Sequence, residues 1–164
     1  MRFVSALLVF ALAFGLAACS RGPVPTYTGP EVTQIYVFKE SRHLYLMHGD
    51  ETLRSYEFEL GFAPVGHKAQ EGDGRTPEGA YLINRLNPNS AYHLSLGISY
   101  PNSRDRAKAA AMGVEPGGDI YIHGTPDRAI GRDDWTAGCI AVTDAEIEEI
   151  YSMVRVGTPI YIYP

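Results

Sequence analysis

The chain is 164 residues long, with 14 basic and 19 acidic side chains, a formal net charge of −5 and a hydrophobic content of 45%. A net acidic chain without a basic patch is poorly suited to nucleic acid, which must have its phosphates neutralised, so no nucleic-acid role is expected. The length suits one domain of ordinary size, able to bury a core of its own.

In chain order the first segment is "MRFVSALLVFALAFGLAACS". Arg2 supplies a positive start, and the run from Phe3 to Leu16 is almost wholly apolar. It is short for a bilayer span and reads as the core of a signal peptide. The run closes on Leu16-Ala17-Ala18-Cys19, which resembles the lipobox of bacterial lipoproteins. An ordinary secretory signal with an incidental cysteine is the alternative. The resemblance implies removal of residues 1–18 and a lipid on Cys19. Ser20, in place of Asp, implies sorting to the outer membrane, facing the periplasm, with the lipid anchor as the only membrane contact. Residues 19–31, with "RGPVPTYTGPE", read as an extended tether, and residues 32–164 as the folded domain.

Strand-like patterns dominate that domain. "VTQIYVF" (32–38) is β-branched and aromatic, and "RHLYLMHGDETLRSYEFEL" (42–60) reads as a hairpin turning at His48-Gly49-Asp50. "GAYLINRL" (79–86), "AYHLSLGIS" (91–99), "DIYIHG" (119–124) and "TPIYIY" (158–163) continue the series. Two helices are expected. Residues 103–113 are alanine-rich, with Ser103 as a cap and Gly113 as a stop. Residues 143–154 open with Thr143 and Glu146, a capping box. The expected class is mainly β or α+β. Two long loops, 61–79 and 124–138, separate these elements, and loops of that length are commonly functional. Gly72-Asp73-Gly74-Arg75-Thr76 lacks the lysine of a phosphate loop, and no helix is expected after it.

The chain has two cysteines. With Cys19 assigned to the anchor, Cys139 is the single thiol of an exported domain. A lone free thiol is unusual in an oxidising compartment. It is either a small buried hydrophobe or a nucleophile, and a nucleophile needs a base and oxyanion donors. His43 opens a strand and His48 sits in a turn, so both read as solvated. His67 lies in the first long loop and reads as exposed, with substrate contact as the alternative. His93 shares a strand face with Ser95 and reads as structural. His123 stands apart, because it ends an apolar strand just before Gly124. Cys139 comes sixteen residues later behind Gly138. Two neighbouring strands would place this imidazole beside the sulfur and lower the thiol pKa. The N–H groups of Gly138 and Cys139 would face a developing oxyanion. No histidine pair has metal-ligand spacing, so neither metal nor cofactor is expected.

"IHGTP" (122–126) together with "WTAGCIAVTDAEIEEI" (135–150) resembles the L,D-transpeptidase catalytic domain, also called YkuD. "EGDGRTPEGAY" (71–81) is similar to that family's Thr-Pro-x-Gly turn, and "LGISYPN" (96–102) and "GTPIYIY" (157–163) match as well. The likeness covers roughly residues 32 to 163 and is nearest to a YafK-like branch, one member of which is a peptidoglycan–lipoprotein amidase. It implies a mixed β-sheet sandwich with one or two peripheral helices. It also implies attack by Cys139 on a meso-diaminopimelate carbonyl of a peptidoglycan stem peptide, through a thioester that an amine or water resolves. His123 would be base and then acid, Gly138 an oxyanion donor through its backbone N–H, and a backbone carbonyl would orient the ring. A wall-attached lipoprotein is an implied partner beside the stem peptides. Two positions depart from the family pattern: Ala137, where many members have His, and Ala141, where many have Arg. Arg75, Arg128 and Arg132 are the candidates to replace the missing charge. Thr76, Gly124 and Trp135 are expected to line the substrate site. A non-catalytic, peptidoglycan-binding lipoprotein with the same fold is the alternative.

Overall fold

A computed structural model describes residues 24–164. The signal segment and Cys19 lie outside the described residues. The described part of the tether forms neither helix nor strand, although Tyr27 rests against the core.

The domain has eight strands: β1 (Gln34–Phe38), β2 (His43–His48), β3 (Glu51–Glu57), β4 (Gly79–Ser90), β5 (His93–Ile98), β6 (Tyr121–His123), β7 (Ile140–Ala141) and β8 (Pro159–Tyr163). They form one mixed sheet in the order β3-β2-β1-β8-β4-β5-β6-β7, parallel only at β1–β8 and β6–β7. β4 carries the bend. Its first residues pair with β8, its later residues pair with β5, and the register shifts between Ile83 and Arg85. A bulge of this kind turns a strand and re-aims the residues beyond it. The chain beyond β3 then returns to β7, where Glu59 pairs with Ala141 and Gly61 with Thr136, and the sheet curls closed. Ile35, Leu44, Leu46, Ile83, Leu96, Ile122, Ile140, Ile160 and Ile162 fill the interior and are almost fully buried.

Helix α1 (Ser103–Met112) and helix α2 (Asp144–Met153) complete the domain. In α2 the capping box is present as expected, and Ile147, Ile150 and Met153 form its buried stripe. In α1 the cap falls one residue earlier than expected. Asn102, and not Ser103, accepts from the N–H groups of Arg104 and Asp105, while Asp105 answers to the Asn102 N–H. An amide oxygen two bonds beyond Cβ reaches both donors, and Ser103 becomes the first helical residue.

The strand limits differ from expectation at both ends of the site. β4 runs on through Asn87, Pro88 and Asn89, at a second register shift where the ladder is already irregular. Ala91 and Tyr92 form the turn to β5, with the Tyr92 N–H donating to Ser90 Oγ. Asp119 takes φ +54°, so β6 begins only at Tyr121.

Candidate functional site

The register of β5, β6 and β7 sets the geometry. Ser95 pairs with His123 and His123 with Ala141, while Gly97 pairs with Tyr121. Cys139 stands two residues before Ala141, one step ahead of β7 and level with Tyr121. Side chains two apart on a strand share a face. His123 and Cys139 therefore occupy adjacent rows on one face, and both line a cleft of about 330 Å³. Tyr92, Trp135, Arg128 and Arg132 line the same cleft.

His123 is 3% exposed, held by Tyr92 stacked at 4.5 Å between ring centroids and by the edge of Trp135 at 5.6 Å. Its Nδ1 lies 2.7 Å from the carbonyl oxygen of Gly124. A carbonyl only accepts, so Nδ1 carries the proton and Nε2 is the free base of the neutral ring. Burial pushes the pKa of this imidazole below its ordinary 6.5, against the pull of the Gly124 carbonyl and Asp144.

Cys139 is half-buried. Its thiol donates to the Asp119 carbonyl at 3.5 Å, and the Tyr121 N–H points to the sulfur. Burial raises the thiol to about 11, with Asp119 adding to the rise and the Tyr121 N–H opposing it. This corrects the expectation of a lowered pKa. The imidazole is itself held neutral, so it supplies no positive charge to favour a thiolate. The resting pair is thiol and imidazole, and the proton must move as the sulfur attacks.

The segment around Cys139 is braced from two sides. Gly138 takes φ +126°, and a Cβ there would meet the Arg75 carbonyl oxygen at 2.5 Å. Its N–H donates to Thr136 Oγ1 at 3.1 Å, while that hydroxyl donates to the Cys139 carbonyl at 2.8 Å. The Gly138 N–H, expected to face an oxyanion, is thus engaged within its own turn. The Gly138 carbonyl accepts from Thr76 Oγ1 at 2.9 Å. Carbonyl and N–H of one planar peptide point in opposite directions, so Thr76 turns the Cys139 N–H away from itself.

Thr76, expected to line the substrate site, is instead fully buried and braces the Gly138–Cys139 peptide from behind. Thr76→Val keeps the shape and strands the Gly138 carbonyl, at a cost of about 1–3 kcal/mol. If it positions the peptide, kcat should fall about tenfold or more with KM little changed, since small misplacements penalise the reacting geometry. A variant that loses only melting temperature would make Thr76 merely structural.

Of the other expected residues, Arg132 and Trp135 line the cleft with Arg128, which lies over the Tyr92 ring at 5.9 Å. The indole Nε1 of Trp135 is buried with no hydrogen-bond partner among the described residues. Arg75 is exposed, and its carbonyl, not its guanidinium, faces Gly138. Gly124 is buried, and its part is to hold the His123 ring. Ala137 is exposed at the cleft, whereas Ala141 is buried and lines a neighbouring groove. His93 pairs with Glu148 at 2.7 Å, a structural role as expected. His67 does not sit free in its loop. It accepts from the Glu78 N–H and approaches Asp105 at 3.4 Å.

The first long loop is itself pinned by two buried lysines that sequence patterns do not single out. Lys39 reaches Glu78 and the Gly66 carbonyl, each at 2.6 Å, and Lys68 reaches Asp73 at 2.9 Å. Thr136 escapes sequence patterns too. Only its buried hydroxyl, clamping both neighbours of the Gly138–Cys139 bond, marks it.

Comparison with known proteins places the chain in a family. The L,D-transpeptidase catalytic domain, YkuD, matches residues 33–162. The Escherichia coli K12 protein named "Putative L,D-transpeptidase YafK" is 36% identical over 126 residues, which is 73% of this chain and 46% of that protein. The chain thus spans about half the length of the curated relatives it matches. Among solved structures, the helical cell shape determining protein Pgp2 from Campylobacter jejuni is similar with a TM-score of 0.64 and 25% identity, over 83% of this chain and 49% of that one. An L,D-transpeptidase from Mycobacterium smegmatis shares the fold with a TM-score of 0.55 at 15% identity, over 81% of this chain and 59% of that one.

Proposed function

The chain belongs to the L,D-transpeptidase catalytic domain family, and from that premise we propose that it is a cysteine acyltransferase or amidase of the cell envelope acting on peptidoglycan stem peptides. Its peptidoglycan-related, L,D-transpeptidase-like character comes from the family. The reaction rests on one observation: a neutral His123 with Nε2 free shares a cleft with the thiol of Cys139.

That pairing dictates the steps. Nε2 of His123 takes the thiol proton as the sulfur bonds to the diaminopimelate carbonyl carbon. The oxygen gains negative charge, and the Cys139 N–H, turned outward by the Thr76 brace, donates to it. Collapse breaks the C–N bond, and the imidazolium returns its proton to the departing amine. The thioester is then attacked by water or by a second amine, with His123 taking the proton and the sulfur leaving. Water makes the protein a hydrolase of stem links, including those to a wall-attached lipoprotein. An amine makes it a transpeptidase.

Mass spectrometry of muropeptides after incubation with purified protein tests this reading. New cross-links between diaminopimelate residues of two stems identify a transferase, and lost protein-linked stems identify a hydrolase. Unchanged muropeptides would contradict both. The proposal extends to the leader: Cys19 carries the lipid, and residues 19–31 tether the domain to the outer membrane on its periplasmic side. Growth with a labelled fatty acid should mark the protein, and Cys19→Ser should abolish the label and release the protein from membranes. Label retained on Cys19→Ser would refute the anchor.

A further inference from the structure

The row of residues level with Cys139 extends back across three strands. Arg85 of β4 pairs with Gly97 of β5, Gly97 pairs with Tyr121 of β6, and Tyr121 stands level with Cys139. All four lie on the face that carries His123. Gly97 has no side chain, so a gap opens between Arg85 and Tyr121. A Cβ at Gly97 would lie 2.5 Å from Asn84 Oδ1 and 3.5 Å from the Tyr121 ring. Into that gap opens a cavity of about 290 Å³, lined by Asn84, Arg85, Gly97, Tyr121 and Asp119 among others.

The cavity holds both signs of charge. The Arg85 guanidinium sits over the Tyr121 ring at 5.2 Å and donates to its hydroxyl, which donates in turn to Asp119 Oδ1 at 2.8 Å. No carboxylate is ion-paired with Arg85 among the described residues, so most of its fork is free. Asp119 is held at φ +54°, a costly conformation for a residue with a side chain, and strain of this kind gathers at working sites. Its carbonyl touches the Cys139 thiol while its carboxylate faces Tyr121. The cleft on the His123 side differs: Arg128 and Arg132 line it with aromatic rings and no carboxylate. The size also fits part of a ligand, since whole-ligand pockets run from about 300 to 1,000 Å³.

We propose that the Arg85–Tyr121–Asp119 cavity seats the zwitterionic amino-acid end of the substrate's diamino-acid side chain, with Arg85 taking its carboxylate and Asp119 its ammonium. The assignment rests on the reading that Cys139 attacks the carbonyl at the other end of that residue. A planar guanidinium suits a carboxylate because two parallel N–H groups match its two oxygens.

Calorimetric binding to the Cys139→Ala protein tests the cavity without any reaction. The probes are a stem tripeptide ending in meso-diaminopimelate with a free side-chain carboxylate, and the same tripeptide with that group as a carboxamide. The free acid should bind about 10- to 100-fold more tightly, as charge-assisted hydrogen bonds imply. Arg85→Ala in the same background should bring the two affinities within about threefold, and Arg85→Lys, which keeps charge but not the fork, should fall between. Equal affinities with Arg85 intact, a preference that survives Arg85→Ala, or no binding of either peptide would overturn the assignment. Turnover by the unaltered protein judges the proposed reaction separately. If it leaves the C–N bond at the diaminopimelate carbonyl of a stem tetrapeptide intact, the reaction falls and the binding ratio still decides the cavity.

Discussion

Cys139→Ala should lower turnover of a stem tetrapeptide by about 10⁴- to 10⁶-fold, as loss of a nucleophile does where attack and leaving steps act as a unit. Cys139→Ser should be almost as inactive. A hydroxyl releases its proton far less readily than a thiol, and the buried His123 is a weak base. Neither variant should disturb folding greatly, because Cys139 is half-buried at the cleft and not part of the interior cluster. Turnover by Cys139→Ala close to that of the parent, with melting unchanged, would leave the proposed reaction without its nucleophile.

His123→Gln should slow turnover by about 10²- to 10⁴-fold, the usual share of general acid–base catalysis. Its effect on the thiol should be small. The causes that set the Cys139 pKa are burial, the Tyr121 N–H, Asp119 and Lys68, with no imidazole among them. Iodoacetamide alkylation of the parent protein should therefore keep rising toward pH 11 and not level off near 9, and His123→Gln should track nearly the same curve. A thiolate–imidazolium pair predicts the reverse, an early plateau that His123→Gln abolishes. The pH–rate profile of the parent should lose activity on the acid side only below pH 6.5, where the depressed imidazole finally protonates. Stability obeys the same signs. Below 6.5 the unfolded chain binds the His123 proton first, so the folded state weakens as pH falls. Between 9 and about 11 the folded state keeps a Cys139 proton that the unfolded chain has lost, so it weakens as pH rises.

Much of the fold is legible wherever local chemistry decides it. Thr143 with Glu146 announces α2, and Gly49-Asp50 announces the β2–β3 hairpin, because capping and turn geometry depend on near neighbours. The juxtaposition of His123 and Cys139 is legible too, since each sits where an apolar strand meets a glycine. What escapes a linear reading depends on distant segments. The thiol pKa runs against expectation because the fold buries Cys139 beside an imidazole that is itself held neutral. Thr76 looks like a loop hydroxyl, and only the return of residues 136–139 past it makes it a buried brace. The row from Arg85 through Gly97 and Tyr121 to Cys139 spans fifty-five residues of sequence, and three strand registers must be known before it appears. The smaller slip from Ser103 to Asn102 has the same origin at short range: both can cap, and the backbone path selects one.

In the proposed reaction a substrate acyl group passes through the sulfur of Cys139. Rapid quenching in acid after mixing with a stem tetrapeptide, then intact-mass and peptide-mass spectrometry, tests it most directly. A transient adduct of the tripeptide acyl group is expected, lost on treatment with hydroxylamine, localised to the peptide containing Cys139 and absent from Cys139→Ala. Tetrapeptide turned over with no such adduct at any time, or an adduct on another residue, would contradict it.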